Sequence, residues 1–187
     1  NDMKQRGVLK KNAVVGTIMT NMGFNKFCEE NDMHFVSTKV GDRYVLENMR
    51  EHGYNIGGEQ SGHVIFLDDN TTGDGLLSAL HLLEVMVKTK KTLSELASVM
   101  EVLPQALVNA KVPNHKKDNF MDYQEIADAV AKLEQKFNGE GRVLIRPSGT
   151  EPKIKFYYGV IGKDFDDAQK KSEEFGEAVN KMIEYMM

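Results

Sequence analysis

The sequence predicts two successive units, an α/β domain built on a mostly parallel sheet and then a small α+β domain. Three observations predict this. Through the first hundred residues, β-branched apolar runs alternate with segments carrying apolar residues at helical spacing, the pattern of βαβ units. Beyond Pro104 the order changes to β-α-β-β-α, which places helices on one face of a sheet. The chain has 187 residues, 41% hydrophobic and 28% charged, enough for packed cores and unlike a disordered tail. The domain boundary is placed so that residues 1–103 form the first unit and residues 104–187 the second.

The elements follow in order. Residues 13–19 are a β-branched apolar run, a buried strand. Phe24, Phe27 and Cys28 recur at helical spacing, and residues 34–40 read as a second strand. Gly41-Asp42 punctuates it, and Val45, Leu46 and Met49 stripe a short helix that ends before Gly53. Residues 55–67 hold a Gly-rich loop running into the strand Val64-Ile65-Phe66-Leu67. Thr72-Gly73-Asp74-Gly75 opens an amphipathic helix over residues 76–87. A capping box follows, Thr92 serving first-turn amides while Glu95 reaches back.

In the second unit a strand over residues 107–112 precedes a polar loop over 113–119. Asp122 and Glu125 frame a capping box for a helix ending near Phe137. Asn138-Gly139-Glu140-Gly141 turns the chain into a strand over 142–146. A loop over 147–152 leads to a strand over 153–160. The last helix aligns Phe165, Ala168, Ser172, Phe175, Val179, Met182 and Met186 on one face. There is no internal repeat and no low-complexity stretch.

Composition excludes several function classes. Lys and Arg number 24 against 28 Asp and Glu, a net charge of −4, so the basic excess that displaces counterions from nucleic acid is missing. No apolar run approaches the roughly 18 residues of a membrane span. A single cysteine, Cys28, excludes an internal disulfide and a multi-cysteine zinc site, and points to a reducing, cytoplasmic setting. The chain opens on Asn1 with no cap or periodic pattern leading in, as expected of a piece of a longer protein.

Two loops carry most of the chemistry. Gly57-Gly58-Glu59-Gln60-Ser61-Gly62-His63 sets a carboxylate, an amide, a hydroxyl and an imidazole among three glycines. A carboxylate accepts hydrogen bonds from two neighbouring sugar hydroxyls, a serine hydroxyl can serve beside it, and glycine lets backbone approach a ligand. The alternative is a polar hairpin turn, in which Gly and Ser are expected anyway.

Arg146-Pro147-Ser148-Gly149-Thr150-Glu151-Pro152 offers an anion a guanidinium fork from Arg146, hydroxyls from Ser148 and Thr150, and an approachable amide at Gly149. The two prolines limit the freedom of the unbound loop. A plain Pro-Ser-Gly turn is the alternative. Val40-Gly41-Asp42-Arg43 could present Arg43 to an anion, with Asp42 equally a helix cap. Thr72-Gly73-Asp74-Gly75 carries an acidic residue at a helix entrance, which reads as a cap rather than a metal ligand. The histidines show no metal-ligand spacing, so none is assigned to a metal.

Together these loops resemble the α-D-phosphohexomutase family. Gly57 to His63 is similar to its sugar-recognition loop, and Arg146 to Pro152 to the phosphate-binding loop of its last domain. Val40-Gly41-Asp42-Arg43-Tyr44-Val45 and Thr72-Gly73-Asp74-Gly75-Leu76 match family patterns in the same order. Gln60 and residues 12–21 are most like the branch acting on glucosamine phosphates. Lys153-Ile154-Lys155-Phe156-Tyr157-Tyr158 is instead closer to the glucose-phosphate branch, so glucose or mannose remains an alternative sugar, as does a non-catalytic phosphosugar-binding module.

The resemblance implies most of the family's third domain, an α/β mixed-sheet domain that recognises sugar, over residues 1–103. It implies the family's fourth domain, a TATA-binding-protein-like α+β fold that binds phosphate, over residues 104–187. It implies substrate contacts from Arg43, Gly58, Glu59, Ser61 and His63, and phosphate contacts from Arg146, Ser148, Gly149 and Thr150, with the two loops meeting at one cleft. The implied activity is an isomerase interconverting 6- and 1-phosphates of a hexosamine. Neither the family's phosphoserine loop nor its aspartate-rich magnesium loop occurs here. Mg²⁺ and the nucleophile are therefore expected in N-terminal domains of the whole protein, and this segment alone is expected to be inactive. The implied partners are a hexosamine phosphate and those domains, with no nucleic acid and no membrane.

Overall fold

The computed structural model describes residues 1–111, 124, 128, 131, 132, 135, 141–147, 153–160 and 162–184. It divides into two compact units, Asn1–Val102 and Leu103–Met187. In the first, a short helix α1 (Asp2–Gln5) and a 3-10 turn (Lys10–Asn12) precede β1 (Ala13–Thr17). Then come α2 (Met22–Glu30), β2 (His34–Thr38), α3 (Asp42–His52), β3 (Ile56–Gly58), β4 (Val64–Phe66), α4 (Gly75–Thr89) and α5 (Leu93–Ala97).

The four strands form one mixed sheet in the order β2-β1-β3-β4. β1 runs parallel to β2 from Ala13↔His34 to Thr17↔Thr38 and parallel to β3 at Val15↔Gly57, while β3 and β4 are antiparallel. The expected first and second strands each end earlier than residues 19 and 40. Thr17 and Thr20 close a turn on each other, the Thr20 amide donating to the Thr17 carbonyl at 2.9 Å and the Thr17 amide to Thr20 Oγ1 at 3.1 Å. At the end of β2, Thr38 Oγ1 donates to the Gly16 carbonyl at 3.0 Å. β3, only three residues long, was concealed in the sequence because two of them are glycine.

Alternation of side chains along β1 assigns the helices to faces. Val15 packs with Ile65, Val45 and Met49, so α3 covers one face. Val14 and Ile56 pack against a cluster of Leu9, Phe27, Cys28 and Met33, so α2 covers the other. Gly57 is what lets α3 sit close. A Cβ there would meet Met49 Sδ and Val45 Cγ1, each at 2.7 Å.

Asn55, 2% exposed, pins the incoming chain to this sheet. Its Oδ1 accepts from the Lys10 amide at 3.0 Å, and its Nδ2 donates to the Val8 carbonyl at 2.9 Å and to Asp68 Oδ2 at 2.7 Å. Truncation leaves buried donors and acceptors unmatched, at roughly 1–3 kcal/mol. Asn55→Ala is therefore expected to lower the denaturant midpoint of the chain with little change in the slope of the transition.

In the second unit β5 (Gln105–Lys111), β6 (Gly141–Pro147) and β7 (Lys153–Val160) form an antiparallel sheet in the order β5-β7-β6. The last helix, α6 (Phe165–Glu184), packs against β5 and β7. Ala168, Ser172 and Phe175 are buried on its apolar stripe, together with Ile154 of β7. Phe165 departs from the expected stripe. At the first position of α6 it is 61% exposed. Gln124, Asp128, Ala131, Lys132 and Gln135 are helical, in the stretch read as a helix. The polar loop over 113–119, the capping residues Asp122 and Glu125, the turn residues 138–140 and Met186 lie outside the described residues. Among the described residues no helix is long and apolar enough to cross a membrane.

Candidate functional site

Ligands of open α/β sheets bind beyond the carboxyl ends of the parallel strands, at the point where strand order reverses. In the first unit the chain passes from β1 to β2 on one side and then to β3 on the other, so that point lies between β1 and β3. Thr20 and Asn21 follow the carboxyl end of β1, Val40 and Gly41 that of β2, and Glu59 that of β3. Three of the sequence motifs converge here.

Glu59 makes the first connection. Its Oε1 accepts a hydrogen bond from the Gly41 amide at 2.9 Å. Gly41 has φ +132°, a conformation that side chains rarely adopt, and this turns its amide toward the carboxylate. Oε2 and the remaining lone pairs of Oε1 are left for other donors. The loop closes on itself as a tight hairpin, the Glu59 amide donating to the His63 carbonyl at 2.9 Å and the Gly62 amide to the Glu59 carbonyl at 3.1 Å. Gln60, Ser61, Gly62 and His63 are exposed at its tip.

His63 makes the second connection. Its ring lies against Gly73, where a Cβ would stand 3.0 Å from His63 Cδ2. The Asp74 amide, next in the chain, donates to the Val64 carbonyl at 3.4 Å. The Gly57–His63 loop is thus held between the 40–43 loop and the 72–75 loop. Arg43 belongs to the first turn of α3, where its Nε pairs with Glu47 Oε1 at 2.7 Å on an exposed surface. Gly58, whose carboxyl-side neighbour is Glu59, ends β3.

Asp74 is the N-cap of α4, as its sequence context suggested. Its Oδ1 accepts from the Leu77 amide at 3.0 Å and its Oδ2 from Asn70 Nδ2 at 3.2 Å. The Leu77 amide bond, supported by Asn70, holds the Asp74 carboxyl below its ordinary range. A group whose folded pKa is depressed contributes stability above its unfolded pKa and loses it as pH falls through the folded one. The first turn of α4 is therefore expected to loosen in acid, below the normal aspartate range. A Leu77 amide resonance that titrates with pH in the native chain, and not in Asp74→Asn, is the check.

Reading the sequence alone undervalued Gly41 and Gly73, because their partners are 18 residues away in one case and 10 in the other. The signal was present as position: each motif immediately follows a strand or opens a helix. Of the phosphate-loop residues, Arg146 lies in β6 with register partner Lys155. Ser148, Gly149 and Thr150 lie outside the described residues. Among the described residues no group of three or more His, Cys, Asp and Glu is placed to hold a metal ion.

Comparison with known proteins bears on this arrangement. Residues 1–103 match the model of phosphoglucomutase/phosphomannomutase, alpha/beta/alpha domain III, and residues 107–174 match that of the phosphoglucomutase/phosphomannomutase C-terminal domain. The chain is 50% identical over 182 residues to a phosphoglucosamine mutase of Thermoanaerobacter sp. (strain X514), covering 97% of this chain and 40% of that protein. It is 52% identical over 172 residues to a phosphoglucosamine mutase of Ruminiclostridium cellulolyticum, covering 92% and 38%. The chain thus spans about 40% of the length of the curated relatives it matches.

Among solved structures, an N-acetylglucosamine-phosphate mutase in its substrate complex superposes with TM-score 0.72 at 23% identity, over 91% of this chain and 38% of that one. An Aspergillus fumigatus N-acetylphosphoglucosamine mutase in complex with GlcNAc-6P and magnesium gives 0.67 at 17% identity, over 89% and 41%. These two likenesses speak to the fold. With both of its units matched in order and its mixed sheet as expected, the chain belongs to the α-D-phosphohexomutase family, the phosphoglucomutases and phosphomannomutases.

Proposed function

We propose that this chain supplies the substrate-recognition part of a phosphoglucosamine mutase, an isomerase that interconverts glucosamine 6-phosphate and glucosamine 1-phosphate. The observation that carries the reading is the Glu59 carboxylate. It stands at the carboxyl edge of the parallel strands, is oriented by the Gly41 amide, and keeps further acceptor sites in the loop that carries Ser61. Glu59 and Ser61 would hold vicinal sugar hydroxyls, Gly58 would let backbone approach the ring, and His63 and Arg43 would line the same edge. Arg146, Ser148, Gly149 and Thr150 would hold the phosphate.

Moving a phosphoryl group between O6 and O1 requires the sugar to bind in two orientations, so that either end reaches the same nucleophile. A phosphate dianion presents similar oxygens from either end, which suits a loop of one guanidinium, two hydroxyls and a backbone amide. Hydroxyls near the pivot of that reversal suit Glu59 and Ser61. Phosphoryl transfer depends mainly on positioning and charge neutralisation. The positioning falls to these residues. The nucleophile and the Mg²⁺ ligands are assigned to the part of the protein outside this chain, in a cytoplasmic setting.

Arg146→Ala is expected to weaken glucosamine 6-phosphate binding by about 1.5–3 kcal/mol, the scale of a charge-assisted hydrogen bond. Isothermal titration that finds the affinity unchanged would remove Arg146 from the site. A second reading, that the sugar is glucose or mannose, draws on Lys153-Ile154-Lys155-Phe156. Titrating the glucosamine, glucose and mannose 6-phosphates side by side decides between them. A non-catalytic phosphosugar-binding module would bind the same ligands. It is told apart by the absence of any turnover in the whole protein that carries this segment.

A further inference from the structure

The Glu59 carboxylate is oriented by a glycine that is free to turn away from it. Gly41 stands between β2 and α3 with φ +132° and ψ +128°, a region open to glycine, for which the mirror-image region is open as well. Rotation of the Val40–Gly41 peptide would carry the amide off Glu59 Oε1, to which it donates at 2.9 Å, at little intrinsic cost to the backbone. The carbonyl side of Gly41 is tied down. It accepts from the Tyr44 amide at 3.0 Å and from the Val45 amide at 3.3 Å, in the first turn of α3. The amide side is held by Glu59 alone unless something packs on the Gly41 Cα.

Tyr44 packs there. A Cβ built on Gly41 would stand 3.2 Å from Tyr44 Cδ2 and 3.6 Å from its Cε2, so the phenol ring lies where a side chain of residue 41 would be. Tyr44 is 41% exposed, and burial in the core is therefore not what fixes its ring. Lys39, the residue that follows β2, supplies a second contact, its ammonium standing 5.9 Å from the ring centroid, within reach of a cation–π attraction. Arg43, between Gly41 and Tyr44, takes no part, since its guanidinium is turned to Glu47 Oε1 at 2.7 Å.

We propose that Tyr44 is a positioning residue for Glu59: its ring, packed on the Gly41 Cα, keeps the Val40–Gly41 peptide in the one orientation that donates to the carboxylate. For its ligand this rests on the reading of Glu59 given above; for the contact itself it does not. Tyr44 touches neither sugar nor phosphate in this account and acts through Gly41. Without the ring the peptide samples both orientations, Glu59 loses its fixed partner, and apparent affinity falls by the fraction of molecules that keep the donating one.

Two measurements on the 187-residue chain test it. Amide hydrogen exchange reads the contact without any ligand. The Gly41 amide is expected to exchange roughly tenfold faster in Tyr44→Ala than in the native chain and near the native rate in Tyr44→Phe, with the Met49 amide of α3 unchanged in both. Isothermal titration with glucosamine 6-phosphate reads the consequence. Tyr44→Ala is expected to weaken binding about three- to tenfold and Tyr44→Phe by about twofold or less. In a Glu59→Ala background Tyr44→Ala should add nothing, because its effect passes through that carboxylate.

Native exchange at Gly41 in Tyr44→Ala overturns the proposal. A loss of affinity that persists in the Glu59→Ala background also overturns it, by making Tyr44 a ligand contact. Faster exchange at Met49 together with Gly41 overturns it too, by reducing Tyr44 to a support of the helix. A native chain that binds no sugar phosphate, with Gly41 exchange as expected, removes the reading of the site and leaves the positioning of Glu59 by Tyr44 standing.

Discussion

On the proposed reading, Glu59→Ala is expected to weaken binding of glucosamine 6-phosphate more than binding of inorganic phosphate. The loss follows from what the carboxylate does. One oxygen is committed to the Gly41 amide at 2.9 Å, and the remaining acceptor sites are the ones that the proposed function assigns to sugar hydroxyls. Hydrogen bonds to a charged group contribute about 1.5–3 kcal/mol each, and that range corresponds to roughly 10- to 150-fold in affinity. Glu59→Gln retains a carbonyl oxygen for the Gly41 amide and removes the charge, so it should fall between the two. Isothermal titration with both ligands separates the outcomes. Equal losses for sugar phosphate and inorganic phosphate would show that Glu59 supports the loop as a whole and does not read the ring.

Gly57→Ala is expected to destabilise the first unit by overpacking the contact between β3 and α3. The new Cβ would stand 2.7 Å from Val45 Cγ1, 2.7 Å from Met49 Sδ and 3.0 Å from the Val15 carbonyl oxygen. Val45 and Met49 are fully buried, and the carbonyl belongs to the neighbouring strand, so little of this contact can turn away. Overpacking of this kind costs about 1–3 kcal/mol. In a unit of this size that corresponds to roughly 4–8 °C in melting temperature per kcal/mol. Gly57 also lies two residues before Glu59, so a displaced β3 moves the carboxylate relative to Gly41. Sugar-phosphate affinity should fall with the melting temperature. A variant that melts like the native chain would mean α3 packs less tightly on β3 than the geometry shows.

Much of the fold was legible in the sequence because the determining signals are local. The capping box Thr92–Glu95 forms as read, the Glu95 carboxylate accepting from the Thr92 amide at 2.7 Å while the Thr92 hydroxyl accepts from the Glu95 amide at 3.3 Å. Asp74 caps α4 and Gly53 ends α3 in a left-handed turn. β7 occupies residues 153–160 as expected because Ile154 supplies the inward alternation that Lys153 and Lys155 frame. What was hidden is non-local. β3 pairs with β1 at a single register position, Val15↔Gly57, and no periodicity can announce a strand of three residues with two glycines. The contact between Glu59 and Gly41 depends on the parallel arrangement of β2 and β3 about β1, which places two loops side by side that the chain separates by a whole helix. For the same reason the sequence marked α4 as amphipathic without showing that Leu76, Leu80 and Leu83 of its apolar stripe would be exposed.

The central claim is that the loop at the carboxyl edge of this sheet reads the sugar of a hexosamine phosphate. Amide chemical shifts of the 187-residue chain, followed while glucosamine 6-phosphate is titrated in, test it most directly. The account predicts saturable shifts at Gly41, Gly58, Glu59, Ser61 and His63 that inorganic phosphate does not reproduce. Shifts confined to other parts of the chain, or the same pattern with inorganic phosphate, would contradict it.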